Sequence, residues 1–295
     1  MCRFTLYLGP PVRLASLLTE PSHSLIRQSF ESTERAEPLN GDGFGVGWYA
    51  PRLTPEPAVF HAITPAWNNL SLRSISNVVA SPCILAHIRA ASPGSDVNLA
   101  NCHPFAHGRH LFMHNGGIGA FRRIRRRLLE GLGDEAYDLV RGSTDTEHLF
   151  AVFVDELQRG GGHDAGGEPD DGEGARLLGA ALSRAVAKVT ALVGAGGGGP
   201  SFLNLAVSDG WRAAVTRFTD HPQERPESLY LLTDELYEPA GRRFSPSRVD
   251  DEGPSVLVSS ERLTDDRRWT AVPANSLVVF DRWTPPDISP LPPSP

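Results

Sequence analysis

The apolar positions of this chain fall into short runs cut by glycine, proline and asparagine, and only the middle of the chain takes up a helical spacing. Phe4 to Leu8, Phe44 to Tyr49, Val59 to Ile63, Cys83 to Ile88 and Leu111 to His114 are apolar or β-prone and bounded by such breakers, which predicts strands. Between them the spacing predicts helices over Val12 to Leu18, Ser71 to Val79 and Ala120 to Glu130. The best-marked helix runs from Thr144 to Leu157. Thr144 and Glu147 form a capping-box pattern ahead of Leu149, Phe150, Val152, Phe153 and Leu157, so the first turn holds Asp145. Helical periodicity continues through Leu177, Leu178, Leu182, Val186, Val189 and Leu192. Strand signals then return at Phe202 to Val207, Trp211 to Arg217, Leu229 to Thr233, Val256 to Ser259 and Leu277 to Phe280.

Two stretches fall outside this pattern. Residues 159–174 are rich in Gly, Asp and Glu with almost nothing to bury, which predicts a disordered insertion rather than a domain boundary. Residues 284–295 are proline-rich and predict a loose tail, leaving one domain over residues 1–283. Strands, then helices, then strands imply an α+β layered domain in which the two strand groups form facing or continuous sheets. The order of elements does not choose between these.

With 295 residues, 40% hydrophobic and 21% charged, the chain can bury a full core. A formal charge of -7 argues against binding nucleic acid through phosphate neutralisation. The basic run Arg122-Arg123-Ile124-Arg125-Arg126-Arg127 has Phe121, Ile124 and Leu128 beneath it at helical spacing and reads as a solvated helix face before a partner-docking patch. The odd set Cys2, Cys83 and Cys102 cannot make a disulfide framework and suits a reducing compartment, so a cytoplasmic location is expected. Phe4 to Leu8 is too short for a signal peptide or a membrane span, and no later stretch reads as one.

Candidate chemistry begins at the second residue. Removal of Met1 would put the Cys2 thiol and a free α-amine on one residue, a nucleophile with its own base. Asn40-Gly41-Asp42-Gly43-Phe44-Gly45-Val46-Gly47 lacks phosphate-loop spacing and predicts a tight turn into a strand with close backbone packing. Arg89 ends an apolar strand, where its planar fork can hold a carboxylate or form a structural ion pair. Asn115 offers a side-chain NH2 and Gly116 an unobstructed backbone N–H, the pair of donors an oxyanion requires. Two rival readings attach to this cluster. Cys102, His103, His107, His110 and His114 could be metal ligands, although no zinc spacing is present. Cys102 and His103 could be a thiol and its base, but only in a loop, because neighbouring side chains on a strand point to opposite faces.

In order along the chain, Cys2, the Asn-Gly-Asp-Gly-Phe-Gly segment, His87-Ile88-Arg89, Asn101-Cys102-His103-Pro104-Phe105, His114-Asn115-Gly116-Gly117 and Ser143-Thr144-Asp145-Thr146-Glu147 resemble the class II glutamine amidotransferases, a family of N-terminal-nucleophile hydrolases. The resemblance implies a four-layer αββα sandwich, with Cys2 as nucleophile and Asn115 and Gly116 as oxyanion hole. It also implies that Arg89 clasps a substrate α-carboxylate and Asp145 the α-ammonium, with Ser92 as a site hydroxyl and His103 as a supporting side chain. No metal or organic cofactor is implied. Pro38 to Val46, Ile63 to Asn69 and Gly142 to Asp145 are similar to the branch that provides the amidohydrolase subunit of an alternative glutathione-degradation complex. That branch implies cleavage of glutathione to glutamate and Cys-Gly, assisted by a peptidase-like partner; from charge and segment length, no nucleic acid or membrane is expected as a partner. The alternatives are a glutaminase passing ammonia to a partner synthase, a γ-glutamyl hydrolase of ergothioneine-type synthesis, and a γ-glutamyl-binding regulatory pseudoenzyme. Ala90 replaces the aromatic that follows the arginine in glucosamine-synthase-type members, which weakens the ammonia-transferring reading.

Overall fold

The computed structural model describes residues 2–34, 39–91, 96–162, 172–234 and 254–291. In chain order these form β1 (Arg3–Arg13), α1 (Ala15–Leu18), α2 (Leu25–Gln28), β2 (Phe44–Trp48), β3 (Ala58–Ala62), α3 (Leu70–Val78), β4 (Ala80–Ile88), β5 (Phe105–His107) and β6 (His110–Gly117). There follow α4 (Phe121–Leu129), α5 (Asp134–Tyr137), α6 (Asp145–Arg159), α7 (Glu173–Ala195), β7 (Phe202–Ser208), β8 (Arg212–Arg217), β9 (Tyr230–Asp234), β10 (Ser255–Ser259), β11 (Thr270–Ala271), β12 (Ser276–Asp281) and β13 (Asp287–Pro290).

A seven-stranded sheet runs β11-β9-β10-β1-β4-β2-β3 and a six-stranded sheet runs β13-β12-β8-β7-β6-β5. Neither is built from one of the two strand groups that the sequence order suggests. Each sheet recruits strands from both ends of the chain, and the two face one another. Phe4, Leu6 and Leu8 of β1 and Cys83 and Leu85 of β4 pack with Leu111, Met113, Val215 and Phe280 between the sheets. The alternate residues Tyr7, Ile84, Ala86 and Ile88 pack outward on Leu14, Leu17, Leu25 and Leu72 of the first helical layer. Both faces of β1 and β4 are therefore buried, which is why these strands read as continuous apolar runs instead of alternating ones. On the outer face of the second sheet, Phe150 and Phe153 of α6 and Leu182, Val186 and Val189 of α7 form the fourth layer with Phe112, Leu205 and Ala214. The result is the αββα sandwich that the family resemblance implies.

Several elements depart from the sequence reading. Val12 and Arg13 belong to a strand, not to the start of a helix: after Gly9-Pro10-Pro11, β1 shifts register against β4 and resumes pairing at Val12↔Ser81 and Arg13↔Ala80. A local irregularity of this kind absorbs residues that cannot donate to the ladder. The segment expected to be a loose tail contains β13, whose Asp287–Pro290 pairs with β12, while Leu291 is buried against the outer core. Edge pairing of this sort tolerates proline. Of the stretch expected to be an insertion, 159–174, Arg159 closes α6 and Glu173 opens α7, while residues 163–171 lie outside the described residues. Helix α7 is also long and apolar enough to cross a membrane by length and composition, contrary to the reading that no stretch is. Its apolar face is occupied by the core.

Candidate active site

The nucleophile candidate is held at the end of a central strand. The register Arg3↔Ile88 and Phe4↔His87 sets Cys2 across from Arg89, and Arg89 in turn donates its backbone N–H to Gly43 O at 2.8 Å. Cys2 is half-buried and its Sγ donates to Ala90 O at 3.6 Å. Burial pushes its thiol pKa up, the Arg89 guanidinium opposes this, and Asp145 adds to it. A thiol held in its protonated form needs a base, and Met1, whose removal would free one, lies outside the described residues.

A buried ion pair fixes the strand next to this residue. Arg3 donates from Nη1 to Cys2 O at 2.9 Å and from Nε to Glu261 Oε1 at 2.7 Å, and both side chains are 1% exposed. Glu261 also accepts from Ser32 Oγ, from the backbone N–H of Thr33 at 3.0 Å, and lies 2.8 Å from His23 Nε2. Burial alone would push the Glu261 carboxyl up, but the bonds from His23, Ser32 and Thr33, with the Arg3 charge, hold it well below the usual carboxylate range. Nothing in the local sequence flags this carboxylate, which is 258 residues from Arg3.

The second sheet brings the oxyanion-hole candidates. Asn115 and Gly116 lie near the end of β6, paired with Asn204 and Leu203 of β7. Asn115 is buried, and among the described residues neither its Oδ1 nor its Nδ2 has a hydrogen-bond partner. A buried amide in that state is costly in the free protein and ready for a ligand. Gly116 has φ +148°, and a Cβ there would collide with Phe202 O, so no other residue fits this backbone. Gly45 serves the other sheet in a similar way. A Cβ on it would run into His103 O, so its absence lets β2 lie against the segment carrying His103.

Asp145 sits in the first turn of α6. Its Oδ2 accepts Ile118 N–H at 2.8 Å and its Oδ1 accepts Thr146 N–H at 2.9 Å. The capping box forms only by half. Thr144 Oγ1 accepts Glu147 N–H at 3.2 Å, but the Glu147 carboxylate turns to Arg141 N–H at 2.9 Å and Gly142 N–H at 2.6 Å, bracing the turn that precedes the helix.

The histidines separate by environment. His103 Nδ1 lies 2.9 Å from His87 Nε2, and His87 Nε2 lies 3.1 Å from His114 O. Burial lowers the pKa of both imidazoles, His87 to about 3, and neighbouring positive charge lowers His103 further, so both are neutral at physiological pH. His103 thus bonds to His87 and not to Cys102, whose buried Sγ faces Asn98 O at 3.5 Å and Ala62 O at 3.8 Å. The thiol–imidazole pair considered for Cys102 and His103 does not form. His107 pairs with Glu135 and His114 with Phe202 O and Thr146, and among the described residues no three His, Cys, Asp or Glu converge as metal ligands.

Cys2, Arg89, His103, Gly116 and Asp145 line one open cleft of about 850 Å³. Ser92 lies outside the described residues. The cleft also contains side chains that the sequence reading gave no part in the site: Asp42, whose Oδ2 accepts Ala91 N–H at 2.8 Å, and Arg122, Arg123 and Arg125 of α4. All five arginines of the basic run are exposed as expected, but three of them face this cleft and not bulk solvent alone.

Residues 16–212 match the family model of class II glutamine amidotransferases. The chain belongs to that family. The matched stretch includes Arg89, Asn115, Gly116 and Asp145 but starts after Cys2, so the nucleophile rests on the geometry above. A probable glutamine amidotransferase from Saccharomyces cerevisiae, DUG3, is 38% identical over 96% of this chain and 83% of its own length. The gamma-glutamyl-hercynylcysteine sulfoxide hydrolase of Mycobacterium tuberculosis is 33% identical over 40% of this chain and half of that protein. Among solved structures, a glutamine aminotransferase class-II domain protein from Silicibacter pomeroyi superposes with a TM-score of 0.63 at 25% identity, over 98% of this chain and 99% of that one. The glutamine phosphoribosylpyrophosphate amidotransferase of B. subtilis covers 99% of this chain with 49% of its own, at a TM-score of 0.57 and 10% identity, a likeness of fold. The chain is an amidohydrolase of the N-terminal-nucleophile type that acts on γ-glutamyl amides.

Proposed function

We propose that this amidohydrolase cleaves the γ-glutamyl bond of glutathione, releasing glutamate and Cys-Gly, with Cys2 as nucleophile. The observation that carries the reading is the single cleft shared by Cys2, Arg89, Gly116 and Asp145. A γ-glutamyl end is zwitterionic, and one arginine with one aspartate complements it without leaving a charge unpaired. With Met1 removed, the α-amine of Cys2 takes the thiol proton and Sγ attacks the γ-carbonyl carbon. Asn115 Nδ2 and the Gly116 N–H hold the resulting oxyanion. The C–N bond then breaks as the ammonium returns its proton to the leaving nitrogen. Water, deprotonated by the same amine, attacks the thioester; the S–C bond breaks and the thiol is regenerated. Similarity to the branch that degrades glutathione adds a peptidase-like partner subunit to the proposal.

A second reading, glutaminase activity that supplies ammonia, is favoured by the glutamine amidotransferase name of the yeast relative and uses the same residues. The two separate in one experiment: release of glutamate from glutathione and from glutamine, measured on the purified protein with and without the partner, beside Cys2→Ala. Faster turnover of glutathione, most clearly with the partner, is the expected result. Faster turnover of glutamine under both conditions would replace the first reading with the second.

A further inference from the structure

The γ-glutamyl end of the substrate leaves much of the cleft's charge unused. Arg89 and Asp145 answer the zwitterion, and Asp42 is engaged by the Ala91 N–H. Arg122, Arg123 and Arg125 remain on the wall formed by α4. None of the three is paired with a carboxylate among the described residues, whereas Arg126, on the same helix but outside the cleft, lies 3.7 Å from Glu130. Arg122 and Arg125 are three residues apart and share a helix face. Buried Ile124 and Leu128 anchor the opposite face in the outer core, so the helix cannot turn these side chains away. Even against Asp42 and exposed Asp96, the lining left over once Arg89 and Asp145 are matched keeps an excess of positive charge.

We infer that Arg122, Arg123 and Arg125 form a leaving-group subsite for a carboxylate, so that the substrates are γ-glutamyl peptides or amino acids whose leaving amine carries an acid group. The inference rests on the γ-glutamyl reading above. Ammonia leaving from glutamine offers nothing for these guanidinium groups to hold. A leaving dipeptide presents its terminal carboxylate about 7 Å beyond the scissile nitrogen, at two residues of extended chain, which an open cleft of about 850 Å³ accommodates. Guanidinium forks suit a planar carboxylate. The exposure of these arginines makes the attraction screenable by salt.

The test uses Cys2→Ala protein, which holds ligand without consuming it, and calorimetric Kd values for glutathione and for glutathione with its glycine carboxylate converted to a carboxamide. The acid should bind about tenfold more tightly than the amide at low ionic strength, and the ratio should shrink in 0.5 M salt, which screens exposed charges to within about 4 Å. In Arg122→Gln/Arg123→Gln/Arg125→Gln on the same background the ratio should fall to about one. The wall residues are exposed, so the variant is expected to melt with the parent, and single Arg125→Gln provides a milder step with an intermediate ratio. Equal binding of acid and amide by the parent would overturn the subsite while leaving the γ-glutamyl reading in place. So would a ratio that survives the triple substitution, which would place recognition of the carboxylate on other groups. Binding of neither compound would overturn the γ-glutamyl reading itself, and the subsite with it.

Discussion

The cleft is lined by two sets of groups built by different physical means. At the γ-glutamyl end, Arg89 closes a buried strand, Asp145 is fixed by two backbone N–H groups, and Gly116 occupies a backbone conformation that no side chain permits. On the α4 wall of the same cleft, three arginines stand on the exposed face of one helix with no carboxylate partner among the described residues. The first set is preorganised by sheet register and costs little to order on binding; the second supplies long-range attraction through side chains that remain mobile until a ligand arrives. A site made this way can bind the invariant part of its substrates rigidly and sort them by what leaves. Changes in the buried set should therefore be severe and insensitive to salt, and changes in the exposed set mild and salt-dependent.

The largest effect is expected at the nucleophile. Cys2→Ala should lower turnover by about 10³-fold or more, as loss of a covalent nucleophile does. Cys102→Ala should retain most activity, because that sulfur is buried against two backbone carbonyls and lies outside the cleft lining. Initial-rate assays on both, with circular dichroism to establish folding, make the comparison; a folded but inactive Cys102→Ala protein would move the nucleophile. Intact mass of the active protein should show loss of one methionine, and an active enzyme retaining Met1 would remove the α-amine from the mechanism. Next in size is the ion pair behind the nucleophile. Glu261→Gln leaves Arg3 buried without its counter-charge, which should destabilise the fold by about 3 to 5 kcal/mol in denaturant titration. It should also lower activity under native conditions, since Arg3 holds the Cys2 carbonyl. Unchanged stability would reduce the Arg3–Glu261 pair to a bystander.

That ion pair marks where sequence reasoning runs out. Cys2, Arg89, Asn115, Gly116 and Asp145 stood out as candidates because each lies in a short segment that matches the family's motifs in order, and buried β1 and β4 announced themselves as continuous apolar runs. Glu261 carries no such local signal: its partners come from the first strand and from the segment near Ser32, and only the fold brings them together. The composition of each sheet was hidden for the same reason, because pairing β1 with β10 closes a loop of about the whole chain and leaves no periodicity to read. Strand β13 was missed because prolines mask an edge strand. The arginine run was legible as a helix face, but which surroundings that face meets is a tertiary fact.

At the γ-glutamyl end, Arg89→Lys keeps the charge and loses the two-pronged hydrogen bond, so binding of glutathione to the Cys2→Ala protein should weaken by about 1.5 to 3 kcal/mol. Asp145→Asn should act similarly, through loss of its charge toward the ammonium. Calorimetry in low and high salt sharpens the contrast with the arginine wall: these losses should persist at high ionic strength, where the acid-over-amide preference fades. Parent-like binding by both variants would make Arg89 and Asp145 structural and place the γ-glutamyl pocket elsewhere.

The smallest effect concerns the imidazoles beneath the buried end. His87 has its pKa lowered by burial from 6.5 to about 3, so between those values the unfolded chain binds a proton that the folded chain refuses. Stability must then rise with pH across that window and fall as pH drops below about 6.5. For His87 alone the loss is about 1 kcal/mol at pH 6 and grows as the pH falls further. In His87→Gln the group cannot titrate, while the amide can still donate toward His114 O, which His87 Nε2 approaches at 3.1 Å. The absolute stability of that variant depends on how well glutamine packs, so the slope is the informative quantity. Melting temperatures taken from pH 7.5 to 5.5 should fall less steeply in the variant than in the parent. Parallel profiles would mean that folded His87 takes up a proton as readily as the unfolded chain does, and the buried, neutral pair of His87 and His103 would have to be redrawn as one that titrates freely.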